Sequence, residues 1–241
     1  VAAAQQPVTY GDGRRAQATR AELEASLQEI AQIMASPGYS ARLRENRRRE
    51  AELIRERLEE GDLQVGDQIN LTVVGEDAFT GTFLIGSGRV LSLPGVPDIP
   101  LRGVLRSEAQ AYLTEQLRRQ LRDPRLQVRT NIRLTFTGAV GRPGFYQVPA
   151  DIMATDAVMS AAAGFAGGGD PNRMLVRRQG REIWNKEAFQ DAILRGMTLD
   201  QMNLRTGDEI VVEARPRAAF GTIMAGIGAL SSVAYLLVRL F

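Results

Sequence analysis

The 241 residues contain neither cysteine nor histidine, and Lys186 is the single lysine among 30 cationic residues. Without thiols or imidazoles the chain has no cysteine nucleophile, no histidine base and almost no route to a transition-metal site, so only carboxylate chemistry remains open to an enzyme. The cations are balanced by 28 acidic residues, leaving a net charge of +2. That near-neutrality argues against a nucleic-acid-binding surface. No disulfide can form, which is compatible with an oxidising compartment as well as a reducing one. Residues 1–4 are small and apolar, as expected just after a signal-peptidase cleavage site.

What the chain does have is 44% apolar residues, enough to bury real cores in one or two small domains. Residues 1–18 lack periodicity and read as a flexible lead-in. Thr19 and Glu22 have capping-box spacing, and Leu23, Leu27, Ile30 and Met34 recur at helical intervals until Ser36-Pro37-Gly38. A second helix extends to residue 60, mostly Arg and Glu, with Leu43, Ala51, Ile54 and Leu58 as a thin apolar stripe. Read plainly, it is a solvated helix laced by pairs such as Glu45 with Arg49; read sharply, residues 19–60 form a collar against a neighbouring subunit.

Beyond Gly61 the texture changes to β-branched alternation, with Ile69, Leu71 and Val73 on one face. A helix is expected over 107–121 and a long strand over 126–137. The turn Gly141-Arg142-Pro143-Gly144 then leads into a strand at 145–148, Pro143 presetting one backbone angle and Gly144 taking a positive φ. A short helix at 155–163, strands at 174–178 and 182–184, a helix at 187–194 and a closing strand at 210–213 complete an α+β pattern. Leu63-Gln64-Val65-Gly66-Asp67-Gln68-Ile69-Asn70-Leu71 recurs as Leu204-Arg205-Thr206-Gly207-Asp208-Glu209-Ile210-Val211-Val212. In both copies Gly and Asp suit a turn that delivers the chain into a strand, so Gly66, Asp67, Gly207 and Asp208 read as structural.

Residues 218–238 carry no charge, between Arg217 and Arg239, and as a helix would extend about 32 Å, the hydrocarbon thickness of a bilayer. Gly221, Thr222, Ala225, Gly228, Ala229 and Ser232 concentrate on one side of that helix, whereas Ile223, Ile227, Leu230 and Leu237 occupy the other. The small side suits helix packing in lipid or a water-filled lumen; the aliphatic side suits lipid.

The chemistry an enzyme would need is poorly represented. The glycine-rich stretch 164–170 is followed by no Lys-Ser or Lys-Thr pair, so it reads as a turn and not as a phosphate loop. Asp151, Asp156, Asp170 and Asp208 each sit at a turn or helix start, an ordinary structural place for aspartate. Trp184, Tyr146 and Phe145 would make a sugar-stacking platform if brought together, and core packing is their alternative. No catalytic, cofactor or metal residue is assigned.

Several segments in order resemble a known family. Leu63-Gln64-Val65-Gly66-Asp67-Gln68-Ile69, Gly81-Thr82-Phe83, Gly88-Arg89-Val90-Leu91-Ser92-Leu93-Pro94-Gly95 and Asp123-Pro124-Arg125-Leu126-Gln127-Val128 are similar to the periplasmic domain of bacterial polysaccharide export proteins. Thr137-Gly138-Ala139-Val140-Gly141-Arg142-Pro143-Gly144-Phe145-Tyr146, with Ala162-Ala163-Gly164-Phe165, resembles the soluble-ligand-binding β-grasp (SLBB) domain that comes after it there. The resemblance implies an export domain at 61–133, one SLBB β-grasp domain at 134–213, N-terminal helices and a C-terminal transmembrane helix. It further implies a homo-oligomeric ring in the cell envelope, periplasmic with its last helix in the outer membrane, passing capsule or exopolysaccharide without chemical change. An inner-membrane polysaccharide copolymerase is the implied partner. The alternative is a membrane-anchored β-grasp module that binds a glycan or envelope partner without forming a conduit. Lipid anchoring, frequent in the family, has no cysteine to use here.

Overall fold

Thr19 caps the first helix as its spacing predicts, its hydroxyl accepting from the Glu22 N–H while the Glu22 carboxylate accepts from the Thr19 N–H. The computed structural model describes residues 9–10, 14–15, 17–36 and 38–215. A minimal hairpin, β1 (Thr9–Tyr10) with β2 (Arg14–Arg15), precedes α1 (Arg20–Ala35) and α2 (Ala41–Glu60). The two helices pack on each other through Leu23, Ile30, Ala51 and Ile54, with Leu105 from the next unit completing this small core.

The chain then builds β3 (Gln68–Val73), β4 (Gly81–Leu84), a two-stranded ribbon of β5 (Val90–Leu91) and β6 (Ile99–Pro100), and α3 (Arg106–Leu117). The helix ends four residues before the sequence pattern suggests, because Asp123 at φ 52° and the turn before it redirect the chain into the next strand. That strand, β7 (Leu126–Gly138), is succeeded by β8 (Gly144–Pro149), α4 (Ala154–Ala161), β9 (Gly169–Arg178), β10 (Arg181–Trp184), α5 (Lys186–Leu194) and β11 (Glu209–Ala214). The result is a mixed α+β fold. β9 takes in Gly169 and Asp170, which composition alone assigns to a turn.

Seven strands form one sheet in the order β10-β9-β11-β7-β3-β4, with β8 also on β7. β7 is the element both units share. Residues 126–131 pair antiparallel with β3, residues 131–136 pair antiparallel with β8, and residues 135–138 pair parallel with β11. Its inward side chains divide accordingly. Leu126 joins the core of Leu63, Ile69, Leu71 and Leu113, whereas Ile132, Leu134 and Phe136 join that of Val158, Val176, Phe189 and Ile210. The expected boundary between residues 133 and 134 therefore falls inside a hydrogen-bonded strand, and no linker separates the units there. Strict alternation along 13 residues keeps both cores on one side of the sheet.

Among the described residues no helix is long and apolar enough to cross a membrane. The run 218–238, with both its small-residue and aliphatic sides, lies outside the described residues.

Candidate functional site

The two helices, the first sheet unit and the second meet at a cluster of buried charges. Gly61 stops α2 with φ 77°, and a Cβ there would lie 2.6 Å from the Val104 nitrogen, so only glycine lets the helix end against the loop before α3. This closeness brings Arg57 of α2, Asp62 and Arg106 of α3 together, and the turn at 198–203 supplies Asp200 and Asn203 from the second unit. Arg57 donates to the Asp200 carbonyl at 2.7 Å, to the Asp200 carboxylate at 2.7 Å, to Asn203 Oδ1 at 2.9 Å and to Asp62 Oδ2 at 2.9 Å. Arg106 reaches the other Asp200 oxygen at 2.9 Å, and its backbone N–H donates to Asp62 at 2.8 Å. The N–H of Ala18, just before α1, also donates to Asp200 at 2.9 Å. All four charged side chains are buried.

Two guanidinium groups against two carboxylates make the cluster neutral overall, which is what allows it to stay charged without water. Burial disfavours ionisation of Asp200, but the charges of Arg57 and Arg106 and the bonds donated to it outweigh burial and hold its carboxyl below the usual range. Burial likewise opposes the Arg57 charge, and Asp200 and Asp62 outweigh it, raising its pKa. At the edge of the cluster Arg20 grips Glu108 with two bonds, at 2.8 and 3.0 Å, which tie the start of α1 to the start of α3. That bond to Arg20 leads the causes that lower the Glu108 pKa.

The repeated turns are brought face to face. Gly66 and Gly207 adopt φ 91° and 92°, and in each turn the aspartate accepts from the N–H three residues back, Gln64 to Asp67 at 3.0 Å and Arg205 to Asp208 at 2.8 Å. The Thr206 hydroxyl donates to the Asp67 carboxylate and accepts from the Arg133 N–H, so the second turn is fastened to the first and to β7. Burial pushes the Asp67 carboxyl up, against the pull of Arg106 and of the bonds from Gln64 and Thr206. Asp208 is gripped by Arg178 at 2.8 and 2.9 Å. The two turns deliver the chain into β3 and β11.

At the third turn Gly144 has a positive φ, as its sequence suggests, but at 159° it is close to extended and opens β8. Glycine is needed earlier. A Cβ on Gly141 would fall on the Ala163 carbonyl oxygen, because the Gly141 and Arg142 N–H groups bond the 162–164 loop. Pro143 lies between the bend at residues 141–142 and β8.

The three aromatic residues do not assemble. Trp184 is buried with its indole N–H donating to the Met202 carbonyl at 3.0 Å, Tyr146 packs against Phe136, and Phe145 is 75% exposed on β8. Asp170 is taken up by Arg215 and by the Asn172 N–H. A cleft of about 320 Å³ lies between α2 and α5, lined by Asn46, Arg47, Leu53, Trp184, Asn185 and Asp191 among others. Across it Asn185 donates to Asn46 at 3.2 Å, and Arg42 pairs with Glu187.

Residues 56–131 match the family model described as polysaccharide biosynthesis/export protein. This segment is a polysaccharide export domain. The match begins at Glu56, so the export domain includes the last turn of α2 with Arg57, and it ends at Asn131, the residue of β7 that pairs with both Gln68 and Pro149. Arg57, Asp62 and Arg106 all belong to the export domain, whereas Asp200 and Asn203 lie outside it. A search of curated proteins returned no match. The matched family is one of polysaccharide biosynthesis and export, and a cell-envelope setting is consistent with the match.

Proposed function

We propose that this chain is one subunit of a closed envelope ring through which a polysaccharide passes unaltered, its described part in the periplasm and its 218–238 run spanning the outer membrane. The single observation that carries this reading is the export domain continuing without a linker, through β7, into a second α+β unit, with buried ion pairs clamping the joint. A ring closes only when every copy has the same shape, and a joint without slack supplies that sameness. The second unit is read as the SLBB β-grasp domain. Its β7–β8 and β9–β10 hairpins, parallel β7–β11 pair and covering helices support that reading. The small-residue side of the 218–238 helix packs on neighbouring copies or borders the lumen, and the aliphatic side meets lipid. An inner-membrane polysaccharide copolymerase is the proposed source of the chain being exported.

The test is the oligomeric state of the full chain purified in mild detergent. Closed rings in class averages are expected. A uniform monomer would remove the ring and leave the membrane-anchored binding module as the reading.

A further inference from the structure

The side of the sheet turned away from the cores carries a distinctive set of side chains on β3, β7 and β8. Opposed residues of paired strands share a face, so the register places Asn70 beside Arg129, Gln68 beside Asn131 and Gln147 beside Arg133, with Phe145 beside Thr135. Arg129 and Arg133 are exposed and make no ion pair among the described residues. Elsewhere many arginines have carboxylates, as in Arg173 with Glu213 or Arg178 with Asp208. On β3 and β8 the neighbours are amides, Asn70 for one arginine and Gln147 for the other, and the Glu209 carboxylate that β11 places beside Thr135 accepts from the Thr137 hydroxyl and pairs with neither arginine. The two arginines stand four residues apart on one strand, about 13 Å, with Asn131 between them.

We propose that this face binds a carboxylate-bearing polysaccharide laid along β7. Arg129 and Arg133 would meet acidic groups of the chain, Asn70 and Asn131 would donate to and accept from its hydroxyls, and the Phe145 ring would cover an apolar sugar face. The amides can serve either partner of a hydroxyl, and the two unpaired charges select an acidic chain over a neutral one. The proposal rests on the export reading for its substrate class and adds acidic selectivity and the residues that confer it.

Affinity electrophoresis of the full chain in mild detergent tests it, using native gels cast with a polyuronate or with neutral dextran. The polyuronate gel is expected to retard the protein and the dextran gel to leave it nearly unretarded. R129Q/R133Q should weaken polyuronate retention by roughly three- to tenfold, with an unchanged melting curve. R48Q/R55Q removes the same charge from the exposed side of α2 and should be retarded as the parent is, each relative to its own mobility in a ligand-free gel. Equal retardation in both gels, equal loss in both double variants, or full retention by R129Q/R133Q would overturn the proposal. So would altered assembly of R129Q/R133Q without altered retention, which would make the face a contact between copies. Ring closure is read separately by imaging, so a monomer that still shows selective retention defeats the ring and spares this site.

Discussion

Arg57 and Asp200, 143 residues apart in sequence, are joined by two hydrogen bonds of 2.7 Å, one to the carbonyl and one to the carboxylate. Neither residue has any solvent exposure. This contact connects the helix that opens the export domain with the turn that precedes β11 in the second unit. Arg57→Met should therefore cost about 3 to 5 kcal/mol, because it strands buried carboxylates and does not merely delete a bond. Urea unfolding would show it, and Arg57→Met combined with Asp200→Leu should recover part of the loss. A strictly additive double variant would mean that the two residues act independently.

The carboxyls of the joint differ in their response to acid. Asp200 is held below its ordinary pKa, so its contribution is full above the unfolded-state value and disappears as pH falls through the lower folded value. Asp67 is pushed up, so its effect has the opposite sign: stability is greater below its unfolded value and declines as pH rises through the folded one. Asp67→Asn is expected to change stability at neutral pH by less than about 1 kcal/mol, against a several-fold larger loss for Asp200→Asn. Melting temperatures of both variants between pH 3 and 8 check this, and a larger loss for Asp67→Asn would reverse the assignment.

Gly138 has φ 82°, and a Cβ there would fall on the Val212 carbonyl oxygen where β7 and β11 run side by side. Gly138→Ala should destabilise by at least about 2 kcal/mol. Gly144→Ala adds a methyl that meets only the edge of the Tyr146 ring, at 3.4 Å, and should cost less. Denaturant midpoints that rank the two the other way would show that the β7–β8 connection is the tighter constraint.

Removing residues 220–241 should abolish membrane association while preserving β-rich circular dichroism and a cooperative melt, since all three described cores lie between Ala18 and Val212. Loss of the cooperative melt would place that segment in the folded body.

The absence of cysteine permits single-cysteine labelling of the assembled protein. A membrane-impermeant thiol reagent should modify Thr222→Cys and Ser232→Cys faster than Ile227→Cys or Leu230→Cys. Equal protection at all four positions would mean a tightly packed anchor without an aqueous lumen.

The helices, the alternating strands and the Gly-Asp turns were legible because local periodicity and backbone chemistry determine them. The joint was not. Arg57 lies in a helix so rich in Arg and Glu that a solvated surface is the natural reading, and Arg49 with Glu45 does behave that way at 3.2 Å. One signal was available: Arg57 is three residues after Ile54 and four after Leu53, in phase with the buried side. Its partners, however, come from 5 and 143 residues away, and no local pattern reports on those. The open face of β7 was equally silent, since alternation separates inside from outside without saying which arginines lack a counter-charge.

Asn131 pairs on β7 with a strand of each unit, Gln68 on β3 and Pro149 on β8. The strand is thus a common ruler from which both units take their side-chain phase. Inserting one residue beside Asn131 would leave Leu126 pointing inward while turning Ile132, Leu134 and Phe136 to the solvent, or the reverse. Variation in length is therefore confined to even steps here, or displaced to the loops at the strand's ends.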